Sequence, residues 1–498
     1  MPLYSEQEHS LTLTPMMAFF ASQAVALLAG WALLAALSWS KLPVGLLVPT
    51  AWLVGTGALA LERLLLVQAG LPWNAVTIGL PWLVVVLLAL RRLKPRVPVW
   101  KVLSHTRMAG RGWRALTRQG RLNLLAELVA STLIVVWTAG MLRTTLSMPM
   151  VGWDALINWV FKGRVLHHWG TIPHGFFTDS QYAMYAHLDY PLLVPITVAR
   201  IYDWTGDNAD LVRGWWALLA GAAVAGLYWG TQGLTGWPVR LGGLVVLVCM
   251  PAMVVYAAGP LTGYAELPLA VFFLYAGLFM YRWLERPATH ELGLSALFFG
   301  MAGFTKNEGL VMALAGLALL MGLVVFRRAG LPVVWQAVPV MGLMIVPWQI
   351  QRVVWGIKGD MNPTPTGLMQ HWDSRSGLVM QYLLSNTWDA HQLGLLWHLL
   401  PLAGLGALAF APRQWLKALP ILLMIVAHFA GVIAAYVTTP HDIIWHLNTS
   451  ADRVVFQASP LAVMLGVMYV GCMLDRPAGA AAWHVRALSM IRAYPRTS

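Results

Sequence analysis

The sequence predicts an all-α polytopic membrane protein with about 13 transmembrane helices, and three observations carry this prediction. Hydrophobic residues make up 58% of the 498 residues, and charged residues make up only 11%. Many apolar runs approach the roughly 20 residues that an α-helix needs to cross a bilayer. The cations are concentrated in short segments between these runs, which is typical of topology signals. Membrane orientation therefore explains the net charge of +13 better than nucleic-acid binding does.

Each apolar run is assigned to one span in chain order. The predicted spans are 15–39, 42–60, 74–90, 122–146, 210–231, 239–258, 268–284, 290–305, 308–326, 331–355, 393–411, 416–437 and 456–474. Lys41 and Lys306 separate neighbouring short runs, so the division at these points changes the count by about one or two helices.

Segment 91–121 determines the predicted orientation, because it holds many Arg and Lys residues and no acid. Such a segment is expected in the cytoplasm. Counting spans from it places the other basic groups on the same side: Arg240, Arg282, Arg286, Arg327, Arg328, Arg413, Lys417 and the tail 476–496. The N-terminus, with Glu6 and Glu8, then lies outside and the C-terminus lies in the cytoplasm. Residues 1–14 contain no Lys or Arg, so no cleavable signal peptide is expected.

This topology divides the chain into five predicted parts. They are a three-span module at 1–95, a basic cytoplasmic loop at 96–121, a core at 122–330 with an outer loop at 147–209, a C-terminal membrane region at 331–475 with outer loops at 356–392 and 438–455, and a basic cytoplasmic tail at 476–498. Segment 190–204 is too short to cross, so we expect an interfacial helix there. Cys249 and Cys472 both fall in apolar runs, which predicts neither a structural disulfide nor a cysteine metal site.

The polar groups that orientation does not explain fall on the predicted outer face. Asp154 directly follows an apolar run, Glu266 is a lone acid at the head of another, and Lys306-Asn307-Glu308 is a charged triplet between two short runs. The three outer loops add Lys162, Arg164, His167, His168, Asp179, His187 and Asp189, then Lys358, Asp360, His371, Asp373, Arg375 and His391, then His441, Asp442, His446, Asp452 and Arg453. A single loop charge is more often solvated surface, and a Lys306–Glu308 pair capping a helix kink is an equally good interpretation. Five clusters on one face nevertheless predict a polar site, because charge is costly in a membrane.

Four of these motifs resemble the GT-C superfamily of integral-membrane glycosyltransferases, in particular the aminoarabinose transferases and protein O-mannosyltransferases. They are Gly152-Trp153-Asp154, the segment Tyr190-Pro191-Leu192-Leu193-Val194-Pro195, Glu266-Leu267-Pro268, and the stretch 300–309 around Thr305-Lys306-Asn307. The resemblance covers about residues 122–330 by motif. The chain departs from it where Ala155 follows Asp154 in place of a second acid. It departs again where three spans precede the first outer loop instead of one.

The resemblance implies transfer of a sugar from a polyprenyl-phosphate carrier to an acceptor hydroxyl at the outer membrane face. The preference for Arg over Lys and the many Trp and Ala residues indicate a GC-rich bacterium, in which this is the periplasmic face of the inner membrane. Asp154 would be the general base, since a carboxylate within hydrogen-bond reach can take the hydroxyl proton. Glu266 is a second catalytic candidate. The donor phosphate needs fixed cations, for which the candidates are Lys306, Arg453, Arg164, Lys162 and Arg375. The candidate substrate-binding residues are Trp153, Tyr264, Asn307, Glu308 and His446.

We expect no cofactor and no metal, and the sequence contains no Gly-rich nucleotide loop. A divalent cation between Asp154 and Glu266 is the alternative, held through oxygen ligands. The expected partners are the lipid-linked sugar donor, a glycan, lipid or protein acceptor, and membrane lipids, without nucleic acid. Two rival functions stay open. One is a polymerase or ligase of lipid-linked oligosaccharides, and the other is a lipid or sugar transporter or flippase.

Overall fold

The computed structural model describes residues 13–39, 42–92, 117–179, 181–182, 186–327, 332–359, 361 and 364–474. Glu6, Glu8, most of the predicted basic loop 96–121 and the predicted tail 476–498 lie outside these ranges. Within them the chain is helical, and the one β contact is an isolated bridge between Gln232 and Thr235. The predicted all-α class is confirmed for the described residues.

The helices are numbered here in chain order. The first half of the chain forms α1 (Leu13–Ala36), α2 (Val44–Gln68), α3 (Ala75–Arg92), α4 (Arg118–Leu146), a π-helical turn (Ala155–Trp159), α5 (Val160–Trp169), α6 (His174–Thr178), α7 (Leu193–Thr205) and α8 (Ala209–Gly230). The second half forms α9 (Trp237–Val248), α10 (Pro251–Ala258), α11 (Glu266–Glu285), α12 (Thr289–Thr305), α13 (Asn307–Arg327), α14 (Pro332–Trp355), α15 (Pro365–Thr387), α16 (Ala390–Leu393), α17 (Leu396–Phe410), α18 (Pro412–Val437) and α19 (Ile443–Leu474).

The described residues include ten helices that are long and apolar enough to cross a membrane, or eleven if the bent pair α9–α10 is one span. The chain is therefore a multi-pass membrane protein. Every predicted span overlaps a helix, but α12 and α17 have only 17 and 15 residues. At about 1.5 Å per residue they are shorter than a hydrocarbon core of roughly 30 Å. The span predicted at 239–258 bends by 58° between α9 and α10, where Pro251 begins the second helix.

Two predicted loops are largely helical. Loop 356–392 contains the 23-residue helix α15, which Thr364 caps and which buries Val379 and Leu383. The prediction of a loop was wrong there because the many polar residues cover the exposed side of a surface helix. Loop 438–455 is also helical from Ile443, since the Asp442 carboxylate accepts the backbone N–H of Trp445 at 2.8 Å and caps α19.

The interfacial helix predicted at 190–204 is present as α7, but it is buried rather than lying on the surface. Helices α1, α2 and α5 pack around it. The Arg200 guanidinium on α7 donates to the Ser22 carbonyl of α1 at 2.7 Å, and Arg63 of α2 pairs with Asp203 at 2.6 Å. The N-terminal helices are thus bonded to α7, which belongs to the same predicted outer loop, 147–209, as Asp154.

Helix α11 forms the centre of the bundle, and nearly all of its residues are buried. It packs against α8, α12, α18 and α19. Close helix approach depends on glycine here, because a Cβ at Gly226 would lie 2.5 Å from the Tyr275 ring and one at Gly277 would lie 2.5 Å from Leu461. The first residue of α11 is Glu266, so the bundle holds this carboxylate at one of its ends.

Ion pairs at the far end of the bundle are separate from those around Glu266. Arg282 pairs with Glu291 at 3.0 Å, and Arg240 pairs with Glu127 at 2.7 Å. Lys417 lies 3.1 Å from Glu285. Three of the cations predicted to face the cytoplasm therefore share one end of the bundle, and Glu266 lies at the other.

Candidate active site

Four distant chain segments bring their charged side chains to one place. Asp154 precedes the π-helical turn, Glu266 begins α11, Lys306 lies between α12 and α13, and Arg453 lies in the third turn of α19. Lys306 has extended backbone angles, φ −155° and ψ 158°, which end α12 and direct its side chain away from the helix. The structure thus brings together four of the predicted site residues, Asp154, Glu266, Lys306 and Arg453.

One oxygen of Glu266 is the centre of the group. Its Oε1 accepts hydrogen bonds from Arg453 Nε at 2.9 Å, Arg453 Nη2 at 2.7 Å and Lys306 Nζ at 2.9 Å. Arg453 Nη2 also donates to Asp154 Oδ2 at 2.5 Å, and Lys306 Nζ lies 2.7 Å from Glu308 Oε1. We call these five residues the ion cluster. It contains three carboxylates and two cations, joined through Arg453 and Lys306.

Exposure increases from Glu266 towards Asp154. The Glu266 side chain is 0% exposed, Lys306 6%, Arg453 15%, and Asp154 and Glu308 22% and 23%. Within the described chain, Asp154 Oδ1 has no hydrogen-bond partner, and neither has Arg453 Nη1. A free acceptor and a free cationic donor therefore remain at the exposed side of the cluster.

Tyr264 supports the cluster from the turn before α11. Its hydroxyl oxygen accepts the backbone N–H of Asp154 at 3.3 Å, and the Arg453 guanidinium lies 4.8 Å from its ring centre. The preceding Gly263 has φ +102°, and a Cβ there would lie 2.4 Å from the Ala155 side chain. Only glycine suits this position. Burial raises the pKa of the Tyr264 phenol, so it stays protonated near neutral pH.

Lys162 and Asn307 belong to a second polar group, which we call the Asp189 group. The Asn307 amide donates to Asp189 Oδ2 at 2.8 Å. Lys162 is fully buried, donates to the His187 carbonyl at 3.1 Å and lies 5.2 Å from the Trp159 ring centre. Burial lowers the pKa of the Lys162 amine to about 7, against the opposing charge of Asp189. Lys162 was predicted as a phosphate-binding cation, but the described contacts of its side chain are not with the ion cluster.

Two other predicted phosphate-binding cations are bonded elsewhere. Both carboxylate oxygens of Asp207 accept from Arg164 Nε, at 2.6 and 2.7 Å, on an exposed surface. Arg375 donates to the carbonyls of Val437 and Thr439, at 3.1 and 2.8 Å, and so binds the end of α18. The structure does not bring either guanidinium into the ion cluster.

The remaining predicted substrate-binding residues lie nearer the surface. Trp153, next to Asp154, is 65% exposed. His446 lies two turns before Arg453 on α19, bonds through Nδ1 to the Thr439 hydroxyl at 2.8 Å and packs its ring 4.8 Å from that of Tyr436. Neither residue contacts the ion cluster directly among the bonds described.

Several buried polar groups near the ion cluster were not among the predicted site residues. Among described residues no hydrogen-bond partner exists for the Tyr256 hydroxyl, the Gln457 amide or the Asn158 amide. Their sequence signal is weak, because a neutral amide or phenol inside an apolar run is most often a satisfied core group. Asp189 was predicted only as one of several acids in loop 147–209.

The space between Asp154 and Glu266, where the alternative divalent cation was expected, is bridged by the Arg453 guanidinium. In the described parts of the chain, no three or more His, Cys, Asp or Glu residues group in a way that could hold a metal ion. The acids of the ion cluster instead have Lys and Arg as their partners.

Comparison with protein-family models, with curated protein sequences and with solved structures finds no match for this chain.

Proposed function

We propose that this protein is a membrane glycosyltransferase that moves a sugar from a polyprenyl-phosphate carrier to an acceptor hydroxyl. The observation that carries the proposal is the contact between Asp154 and Arg453. This pair combines a partly exposed carboxylate with a guanidinium that has a further free donor. A base and a phosphate ligand side by side are what this reaction requires.

Asp154 is the proposed general base. Its Oδ2 is held by Arg453, which leaves Oδ1 to accept a hydrogen bond from the acceptor hydroxyl. In the reaction the hydroxyl proton passes to Oδ1 and the hydroxyl oxygen forms a bond to the anomeric carbon. The bond between that carbon and the carrier phosphate breaks, and its electron pair stays on the phosphate oxygen.

Arg453 is the proposed ligand of the departing phosphate, through Nη1. A guanidinium presents several donors in a fixed plane and stays charged, so it suits phosphate better than an exposed lysine does. Two of its nitrogens are fixed by Glu266, and Tyr264 lies over its plane. The Arg453 guanidinium is therefore in place before the substrate binds. It does not have to be reoriented during the reaction, which lowers the free-energy barrier.

Glu266 and Lys306 are positioning residues in this proposal. Glu266 is fully buried and its Oε1 accepts three bonds from two cations, so it holds the charge of Arg453 at a fixed point. Lys306 adds a second positive charge within the same group. The prediction that Glu266 is catalytic is thereby narrowed to a role through Arg453.

We place the site at the outer, periplasmic face of a bacterial inner membrane, with the C-terminus in the cytoplasm. Two points support this. The ion cluster and the pairs Arg282–Glu291 and Lys417–Glu285 lie at opposite ends of the bundle. The end that holds Arg282 and Lys417 also carries the cations that the positive-inside rule expects in the cytoplasm. The donor lipid would reach the site from the bilayer, and its prenyl tail needs only apolar surface.

The test is transfer by purified protein in liposomes that contain polyprenyl-phosphate sugars. We expect Asp154→Asn to lose at least about 100-fold in rate, since a general base contributes this much or more. The matched control is Asp207→Asn, which removes another carboxylate paired with an arginine, away from the cluster. Mass analysis of lipids and glycans from a deletion strain would identify the sugar and the acceptor. Transfer that survives in Asp154→Asn would reject the base assignment.

A transporter is the second candidate, favoured by the two interrupted helices. The α9–α10 pair bends by 58°, and the chain is extended between α12 and α13 at Lys306. Discontinuous helices are typical of transporter binding sites. Movement of a labelled lipid-linked sugar across sealed vesicles, without covalent change, would favour this function over transfer.

A further inference from the structure

Three polar residues with a spacing of four follow the chain through the π-helical turn into α5. They are Asp154, Asn158 and Lys162. Residues four apart lie close to one face of an α-helix, so the three follow roughly one side of this segment. Asp154 at its start belongs to the ion cluster, and Lys162 at its end belongs to the Asp189 group. Asn158 therefore lies between the two polar groups.

Asn158 is buried and unpartnered. The residue is only 1% exposed. Neither its amide nitrogen nor its amide oxygen has a hydrogen-bond partner among the described residues. A side-chain amide offers two donors and an acceptor, and leaving these unmade in the interior is destabilising. The residue also lies in the π-helical turn Ala155–Trp159. Such turns are rare and often occur at functional sites.

The helix break at residues 306 and 307 connects the same two groups from the other side. Lys306 bonds to Glu266 of the ion cluster, and the next residue, Asn307, bonds to Asp189. The amide oxygen of Asn307 is also buried and has no partner in the described chain. Unsatisfied amide atoms thus lie on both segments that join the ion cluster to the Asp189 group.

We propose that Asn158 and Asn307 form a subsite for the hydroxyl groups of the donor sugar. This inference rests on the proposed function. It assigns the sugar of the lipid-linked donor, and not its phosphate or lipid, to this region. A sugar hydroxyl both donates and accepts, which matches an amide that lacks both kinds of partner. Asn158 is one helical turn, about 6 Å, beyond Asp154. In the proposed complex, the anomeric carbon lies beside Asp154 and Arg453 and the sugar ring lies on the side of Asn158.

Neutral amides distinguish this subsite from the ion cluster. They give no advantage to the phosphate, which the cations bind, and none to the prenyl tail, which is apolar. The subsite should therefore recognise the sugar of the donor and be indifferent to the carrier lipid. Asn158 becomes a residue that determines which sugar is accepted.

The test uses Asn158→Leu in the full-length protein, because leucine has a similar size and no polar atoms. We expect roughly a tenfold or larger rise in the KM for the donor, from the loss of two hydrogen bonds. Binding is measured separately as the shift in melting temperature on adding polyprenyl phosphate with and without its sugar. The melting temperature of the wild type should rise more with the sugar-bearing lipid than with polyprenyl phosphate alone. That of Asn158→Leu should rise equally with both lipids. Asn386→Leu, an amide that bonds to the Tyr382 carbonyl on α15, is the matched control.

The melting temperature without ligand gives a second reading. Because the Asn158 amide has no protein partner, its replacement by leucine should leave stability unchanged or increase it. A large loss of stability with unchanged donor KM would show that the amide is satisfied by internal water and would overturn the proposal. Asn158→Ala, which is smaller, gives the same comparison if leucine prevents folding. Equal stabilisation of the wild type by both lipids would also overturn it.

Failure of the subsite and failure of the proposed function give different results. If the wild type transfers sugar and Asn158→Leu does so with unchanged KM, only the subsite is rejected. If sugar-bearing lipid stabilises the wild type through Asn158 but no transfer occurs, the subsite stands and glycosyl transfer is rejected.

Discussion

Replacement of Glu266 by glutamine tests whether this residue holds the ion cluster together. The substitution preserves shape and removes one negative charge from a side chain that is 0% exposed. Two cations, Arg453 and Lys306, are bonded to the same Glu266 oxygen, and both then lose its negative charge. Removing one partner of a buried pair typically costs about 3–5 kcal/mol, because the other charge stays buried. Arg453 retains Asp154 and Lys306 retains Glu308, so we expect the lower end, about 3 kcal/mol.

Glu308→Gln provides the matched comparison. Among the described residues, Glu308 forms an ion pair with Lys306 alone, and its side chain is 23% exposed. A partly solvated pair of this kind contributes roughly 1 kcal/mol or less. Thermal unfolding of both variants in detergent, followed by the loss of the monodisperse fraction, should therefore rank Glu266→Gln well below Glu308→Gln. Equal stabilities, or the reverse order, would refute the view that Glu266 is the anchor of the cluster.

Three further outcomes are expected. Arg453→Lys should reduce sugar transfer by at least about 100-fold, since one ammonium cannot replace the planar set of donors; Arg164→Lys, at an exposed pair, should have little effect in the same assay. Gly263→Ala should lower the melting temperature and the transfer rate together, because φ is +102° and the new Cβ would meet Ala155, and normal values in both measurements would contradict this. The Lys162 amine has its pKa lowered by burial to about 7, so between about pH 7 and pH 10 the unfolded chain binds a proton that the folded chain lacks. The free energy of unfolding should rise with pH in that window by at most about 1.4 kcal/mol per pH unit, and should not change with pH below it on account of this group. The check is the melting temperature of the wild type and of Lys162→Met across this range. The variant should lack the rise that Lys162 causes.

Hydropathy predicted the all-α class, and every predicted span overlaps a helix of the described residues. Unexplained charge singled out Asp154, Glu266, Lys306 and Arg453, which the structure brings together. A charged side chain is costly in an apolar environment, so a charged residue that topology does not explain is expected to pair with an opposite charge or to face a polar site. The same reasoning did not predict helix α15, because amphipathic surface helices and polar loops have similar compositions. It also placed the beginning of α19 too late, since the capping role of Asp442 depends on a local bond.

The sequence does not distinguish a cation available to a ligand from one bound within the protein. Arg164 and Arg375 looked equivalent to Arg453, but Asp207 binds the first and the carbonyls at the end of α18 bind the second. Such partners lie 43 to 64 residues away in the chain. Asn158 was missed for the opposite reason, because a search for charge passes over a neutral amide.

The junction of α12 and α13 has a mechanical consequence. Lys306 and Asn307 share one peptide bond and reach into different polar groups, to Glu266 and to Asp189. Any rotation of the chain at this joint must move both side chains together. We therefore expect a substrate that displaces one of these side chains to shift the other through this single covalent link, so that recognition of one half of a substrate would set the geometry offered to its other half.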